Sequence, residues 1–330
     1  MSRKYNVYGV GNALVDVQYQ VDDAYIAKMD IGMGTMTLVD EERQCELIGN
    51  VSNEPLERAS GGSAANTMIG VSNFGGTAYY GCKVGKDEPG DFYLNDLTAA
   101  GVDSNPNNRA DGVTGQCVVL IGPDGERSLN TFLGITAEFG PDEVEPEVFS
   151  ESDIVYIEGY LLASDSGFEA SLHAQALAKE RVAKVALTLS DVFIVDVFKA
   201  RVDELLKNGV DLLFGNEAEA MAYTDRTDVS GACLVIGKVV SDFAITLGGE
   251  GALVTDGGNV KTVSGFPVEV VDTNGAGDAF AGAFLFGVTN GYSTEEAGKL
   301  GCYAGSQVVS KFGPRLEQDL SGKVGEILGR

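Results

Sequence analysis

Gly9-Val10-Gly11-Asn12-Ala13-Leu14-Val15-Asp16-Val17-Gln18-Tyr19-Gln20-Val21-Asp22 is the stretch on which the fold turns. It closes a first β-rich run, Tyr5 to Val10, and begins like the dinucleotide-binding pattern G-x-G-x-x-G, but the third glycine position holds Leu14. That pattern works by turning a strand into a helix whose N-terminus receives a pyrophosphate. Here Val15, Val17, Tyr19 and Val21 alternate with Asp16, Gln18, Gln20 and Asp22, the period of a half-buried strand. A second strand where a helix is required argues against a dinucleotide cofactor. It also predicts a piece of sheet outside the main alternation.

A second such piece lies further on. Val113 to Ile121 and Arg127 to Phe132 flank the turn residues Gly122-Pro123-Asp124-Gly125-Glu126, which predicts a hairpin. Inserts at about 12–40 and 110–135 are therefore expected to form one small sheet, most naturally a lid. Elsewhere β-rich runs at 154–157, 185–189, 210–214 and 243–247 alternate with helical patterns at 167–181 and 196–208 and after Asn216. Such alternation predicts an α/β fold, a mainly parallel central sheet with helices on both faces. No Pro- or Ser-rich linker, internal repeat or low-complexity tract interrupts it, so 1–330 is read as one domain with its lid.

Composition excludes several functions. The 330 residues include 49 acidic and 23 basic side chains, a net charge of −26. Nucleic-acid backbones and anionic membranes call for basic patches, so neither is an expected partner. Five dispersed cysteines with no C-x-x-C pair suggest reduced thiols rather than a disulfide framework. The single histidine, His173, lies in a helical pattern and is expected to be structural, which leaves no zinc site or Ser-His-Asp triad. Met1-Ser2-Arg3-Lys4-Tyr5-Asn6 runs straight into a strand pattern rather than a signal peptide, so a cytoplasmic protein is expected.

Val268 to Phe286 carries the strongest chemical pattern. Val268, Val270 and Val271 read as the end of a strand, Asp272-Thr273-Asn274-Gly275 as a turn, and Ala276 onward as a helix. A glycine-rich turn before a helix aims unpaired N–H groups and the positive end of the helix dipole at whatever lies above it. Asp278 stands in the first helical turn. Two readings are open: a carboxylate that merely stabilises the helix start, or a base taking a hydroxyl proton beside an anion hole. Four further stations follow predicted strands: Asn12 with Asp16, Gly61-Gly62 with Asn66, Asn216 with Glu219, and Thr246 with Gly248 and Gly251. Each alone could be a turn or a cap. No G-x-x-x-x-G-K-[ST] occurs, so a P-loop is excluded.

Asp272-Thr-Asn-Gly-Ala-Gly-Asp278 resembles the C-terminal signature of the ribokinase (PfkB) carbohydrate and nucleoside kinases. Gly61-Gly62-Ser63-Ala64-Ala65-Asn66, continuing to Gly75-Gly76 and Gly85 to Gly90, resembles the same family's N-terminal signature, and Asn216-Glu-Ala-Glu219 its N-x-x-E motif. The resemblance spans nearly the whole chain. It implies a ribokinase-like fold and transfer of the ATP γ-phosphoryl group to a primary hydroxyl. By matching position it makes Asp278 the base and Asn274, Gly275, Ala276 and Gly277 the anion hole. Asn12, Asp16, Gly62, Ser63, Asn66 and Glu158 would meet the acceptor, and Asn216, Thr246, Gly248 and Gly251 the nucleotide. Glu219 would organise Mg²⁺ through water. Many members also bind a monovalent cation such as K⁺ near the position of Asp272 and a loop matching Val308 to Gly313. Asn274, Gly11 to Asp16, and Thr114 to Cys117 leading to Arg127-Ser128-Leu129 are similar to the adenosine kinase branch. Its implied acceptor is adenosine or a related nucleoside, set against an apolar lid wall of Met36, Leu38 and Leu133. Glu158 resembles the sugar-binding Glu of ribokinase-like members, so a free sugar such as fructose or ribose stays open. A nucleotide-binding regulator on the same scaffold would have no need of Asp278. An exposed lid edge or face would also permit a homodimer through the lid.

Overall fold

The computed structural model describes residues 4–256 and 258–330. Seven parallel strands form most of a nine-stranded sheet, in the order Asp242–Thr246, Leu212–Asn216, Lys184–Thr188, Ser152–Ile157, Tyr5–Val10, Ala78–Gly81 and Val102–Ser104. The antiparallel hairpin of Gly251–Asp256 and Asn259–Ser264 extends the Asp242 edge. The strands are apolar on both faces because both are covered. Val7, Tyr156, Ala186, Phe214 and Ala244 enter one core with helices Ser63–Asn73, Ala276–Thr289 and Thr294–Val309. Their neighbours Tyr8, Val155, Leu187, Leu213 and Ile245 enter the other, with helices Asp165–Arg181, Val192–Gly209, Glu217–Thr224 and Val229–Ile236. Period two along each strand thus builds two cores.

A second sheet has the order Met36–Leu38, Arg127–Phe132, Gly115–Ile121, Leu14–Gln20, Glu57–Gly61. Val15, Val17 and Tyr19 are buried with Leu47 and Leu120 on one face. On the other, Cys117, Val119 and Ile121 pack with Leu129. The alternation seen in the sequence is therefore real, and both expected inserts meet here. The sheet also takes in Glu57–Gly61, downstream of the first insert.

The strand expected at Val268 to Val271 does not form: 265–271 carries no strand after Asn259–Ser264 ends. The N–H groups of Val271 and Asp272 instead bond to the carbonyl of Val309, at 2.7 and 3.2 Å. Val268, Val270 and Val271 are 38%, 63% and 43% exposed, so no pleated surface rewards their branching. Pro267 removes a donor from the same segment.

Candidate active site

Helix Ala276–Thr289 begins at Gly275, whose φ is 76° and whose N-cap carries no side-chain bond. A Cβ at Gly275 would lie 1.7 Å from the Pro314 carbonyl, so only glycine makes this entry. No acceptor within the described residues takes the N–H of Gly275, Gly277 or Asp278, and these donors face outward at the positive end of the helix. The helix lies tightly against Ser63–Asn73, because a Cβ at Gly282 would meet the Thr67 carbonyl at 2.5 Å. That approach joins two helix starts. Ser63 Oγ donates to Asp278 Oδ1 at 2.7 Å, and Asn66 Nδ2 donates to Oδ2 at 3.2 Å. Burial pushes the Asp278 carboxyl up to about 7; the two bonds pull it down, while Glu158 and Asp16 push it up further.

Asp278 opens on a cavity of about 310 Å³. Asn12, Asp16, Gly62 and Asp278 form its polar end, while Met36, Leu38, Leu129, Leu133 and Phe193 line an apolar part. Asp16 shares a face of the lid with Cys117, its partner in register. Burial raises Asp16 to about 7 against the opposing charge of Arg315. Glu158 also lines this cavity and is 1% exposed. Its Oε1 accepts from Asn12 N–H at 3.3 Å and Asn12 Nδ2 at 3.1 Å, and its Oε2 from Ala64 N–H at 2.8 Å. Both oxygens are committed to orienting Asn12 and the start of helix Ser63–Asn73. Burial holds Glu158 near 7 as well, raised to about 7. Ser63 is likewise committed, to Asp278. Asn66 Oδ1 is buried without a partner, so it keeps an acceptor for a ligand hydroxyl.

A second cavity, about 290 Å³, lies on the other side of the same helix start. Thr246, Gly248 and Gly251 line it together, with Phe266, Val268 and Val270 adding apolar surface. Two of the three exposed valines that fail to form a strand, Val268 and Val270, find their place here. Gly277 lines both cavities, so they meet at the unpaired N–H groups. Asn216 lines the first cavity with Glu219 and is absent from the second, where Thr246, Gly248 and Gly251 lie. These two form a capping box: Glu219 N–H donates to Asn216 Oδ1 at 2.9 Å, and Asn216 N–H donates to Glu219 Oε2 at 3.1 Å.

Among the described residues no three acidic, His or Cys side chains gather to hold a metal directly. Glu219 nevertheless suits Mg²⁺ held through waters. It is a hard oxygen donor, 6% exposed, at the cavity wall, and burial raises it to about 7, a cost that a nearby cation would relieve. Asp272 does not suit a monovalent cation. Its carboxylate accepts from Asn274 N–H and Gly313 N–H, each at 3.1 Å, and Arg127 Nη1 lies 2.9 Å from Oδ2. Asp272 lines neither cavity. His173 lines neither of these two cavities. Tyr160 and Phe193 are cavity residues that the sequence did not single out. Tyr160 follows Glu158 closely, but nothing local marks Phe193.

The profile of the pfkB family carbohydrate kinases matches residues 23–319. Adenosine kinase 2 of Arabidopsis thaliana is 31% identical over 330 residues, covering 92% of this chain and 94% of its own. The crystal structure of adenosine kinase from Sinorhizobium meliloti superposes with a TM-score of 0.90 at 37% identity, covering 98% of this chain and 99% of that one. A probable sugar kinase from Rhizobium etli CFN 42 superposes with a TM-score of 0.91 at 36% identity, covering 99% of each.

Proposed function

This chain belongs to the pfkB family of carbohydrate kinases and has the ribokinase-like fold; from that premise we propose that it phosphorylates the 5′-hydroxyl of adenosine or a closely related nucleoside with ATP. One observation carries the reading: two cavities meet at Gly277, over unpaired helix N–H groups, with the Asp278 carboxylate on the acceptor side. The acceptor's hydroxyl would give its proton to Asp278 as its oxygen bonds to the γ-phosphorus. The bond from that phosphorus to the β-bridging oxygen breaks, and ADP leaves. The N–H groups of Gly275, Gly277 and Asp278 would stabilise negative charge on the transferring group, whereas those of Asn274 and Ala276 already donate to Asp272 Oδ1 and the Thr273 carbonyl. Mg²⁺, placed by Glu219 and Asn216, would neutralise phosphate charge.

Acceptor recognition follows from the committed bonds. The bond from Asn12 Nδ2 to Glu158 fixes the amide's orientation, and its Oδ1 would accept from a ligand. With Asp16 that makes a pair of acceptors suited to the two donors of a ribose diol. Met36, Leu38, Leu129, Leu133 and Phe193 supply the apolar walls that a nucleobase needs and a free sugar would leave unfilled. The similar adenosine kinases support the same acceptor. An ADP-release assay with Mg-ATP and adenosine, inosine, guanosine, ribose or fructose tests this. Adenosine is expected to give the highest kcat/KM. Saturable turnover of fructose or ribose with none of a nucleoside would overturn it.

A further inference from the structure

We propose that Arg127, reaching from the lid, supplies the positive charge beside Asp272 that a monovalent cation would otherwise provide, and so ties lid closure to the anion-binding turn. Arg127 opens strand Arg127–Phe132, yet its guanidinium sits against the turn carboxylate, with Nη1 2.9 Å from Asp272 Oδ2. The two side chains are 8% and 7% exposed, a buried pair rather than a surface contact. Phe312 covers the guanidinium with its ring centroid 5.3 Å away.

Both carboxylate oxygens of Asp272 and two carbonyls of the neighbouring loop are already engaged. Asp272 Oδ1 accepts from Asn274 N–H, and Oδ2 from Gly313 N–H as well as facing Arg127. The Val309 carbonyl takes the N–H groups of Val271 and Asp272, and the Val308 carbonyl that of Lys311 at 3.2 Å. A cation here would also be repelled by the guanidinium. Removing one partner of a buried pair leaves the other uncompensated. Without Arg127, the Asp272 carboxylate would lose its counter-charge and the Asn274 N–H its fixed acceptor, two residues before the helix start. Arg127 is thus a positioning residue acting through Asp272.

The proposal rests on the reading of Gly275 to Asp278 as the phosphoryl cradle, so its test includes a measurement that needs no acceptor. Thermal unfolding of the full chain, with and without Mg-ATP, is compared in potassium, sodium and choline chloride at equal ionic strength, alongside kcat with adenosine. The wild-type midpoint and kcat are expected to be the same in all three salts. Arg127→Met is expected to lower kcat on the order of tenfold or more at nearly unchanged acceptor KM, and to gain a potassium-selective rise in midpoint. Arg127→Lys should keep most of kcat with no salt preference. A potassium-selective rise in the wild-type midpoint would overturn the proposal, as would an Arg127→Met enzyme with wild-type kcat. If Arg127→Met does not fold, the wild-type and Arg127→Lys comparisons decide it. If adenosine is not turned over, the assigned acceptor falls while the unfolding comparison still stands.

Discussion

Asp278 shows how a side chain's neighbours select among roles its type allows. As a helix-start carboxylate it should be acidic, yet burial raises it to about 7 despite donors from Ser63 and Asn66. Asp278→Asn is expected to retain ATP binding and lower kcat by about two orders of magnitude or more, read by ADP release. Loss of the base also predicts a pH profile: kcat/KM should fall as pH drops through about 7, because only the carboxylate accepts a proton. Stability runs the other way. A carboxyl raised in the folded state contributes stability that is complete below its unfolded value and lost as pH rises through about 7. Asp278→Asn should therefore raise the unfolding midpoint relative to wild type more at pH 8 than at pH 5. A gain confined to pH 5 would sink that account. The residue was legible in the sequence, but its support was not. Ser63 lies 215 positions away, and only packing shows that it serves Asp278 first.

Elements were legible where their own pattern decides them. The strand Leu14–Gln20 follows its alternation, and Arg127–Phe132 follows its turn. Glu57–Gly61 has little strand character of its own; it is a strand because Leu14–Gln20 offers it an edge. Val229–Ile236 is the opposite case, a helix made of residues that suit strands, started by Asp228 accepting from Gly231 N–H at 2.8 Å. The entry to helix Ala276–Thr289 depends on a single backbone state. Gly275→Ala should cost about 2 kcal/mol or more, since a Cβ would collide with the Pro314 carbonyl, measured by denaturant unfolding. The edge strand Met36–Leu38 offers a separable test, because Met36 lines only the acceptor cavity. Met36→Asp should raise the adenosine KM roughly tenfold and leave the ATP KM nearly unchanged, as expected for a charge placed on an apolar wall. Equal changes in both would count against the assignment of the cavities.

At the scale of the whole molecule, a chain of net charge −26 must bring an anionic nucleotide to its surface. The favourable potential is local, at one helix start, while the long-range field is repulsive. Raising ionic strength should therefore increase kcat/KM for Mg-ATP and leave that for a neutral nucleoside nearly flat, measured by varying each substrate in a series of salt concentrations. A fall for Mg-ATP would mean that local attraction governs encounter. No helix among the described residues is long and apolar enough to cross a membrane. By itself the sequence determined the layered α/β alternation, the lid pieces and the Asp272 to Asp278 turn, because local periodicity and glycine placement report backbone state directly. Only the tertiary structure decided that Glu158 holds Asn12 and that Asp272 faces Arg127. It also decided that Asn12, Leu14 and Asp16 line one cavity together with Asp278. Those outcomes depend on which donors lie within about 3 Å of a carboxylate once distant strands are side by side, and no local pattern encodes that distance.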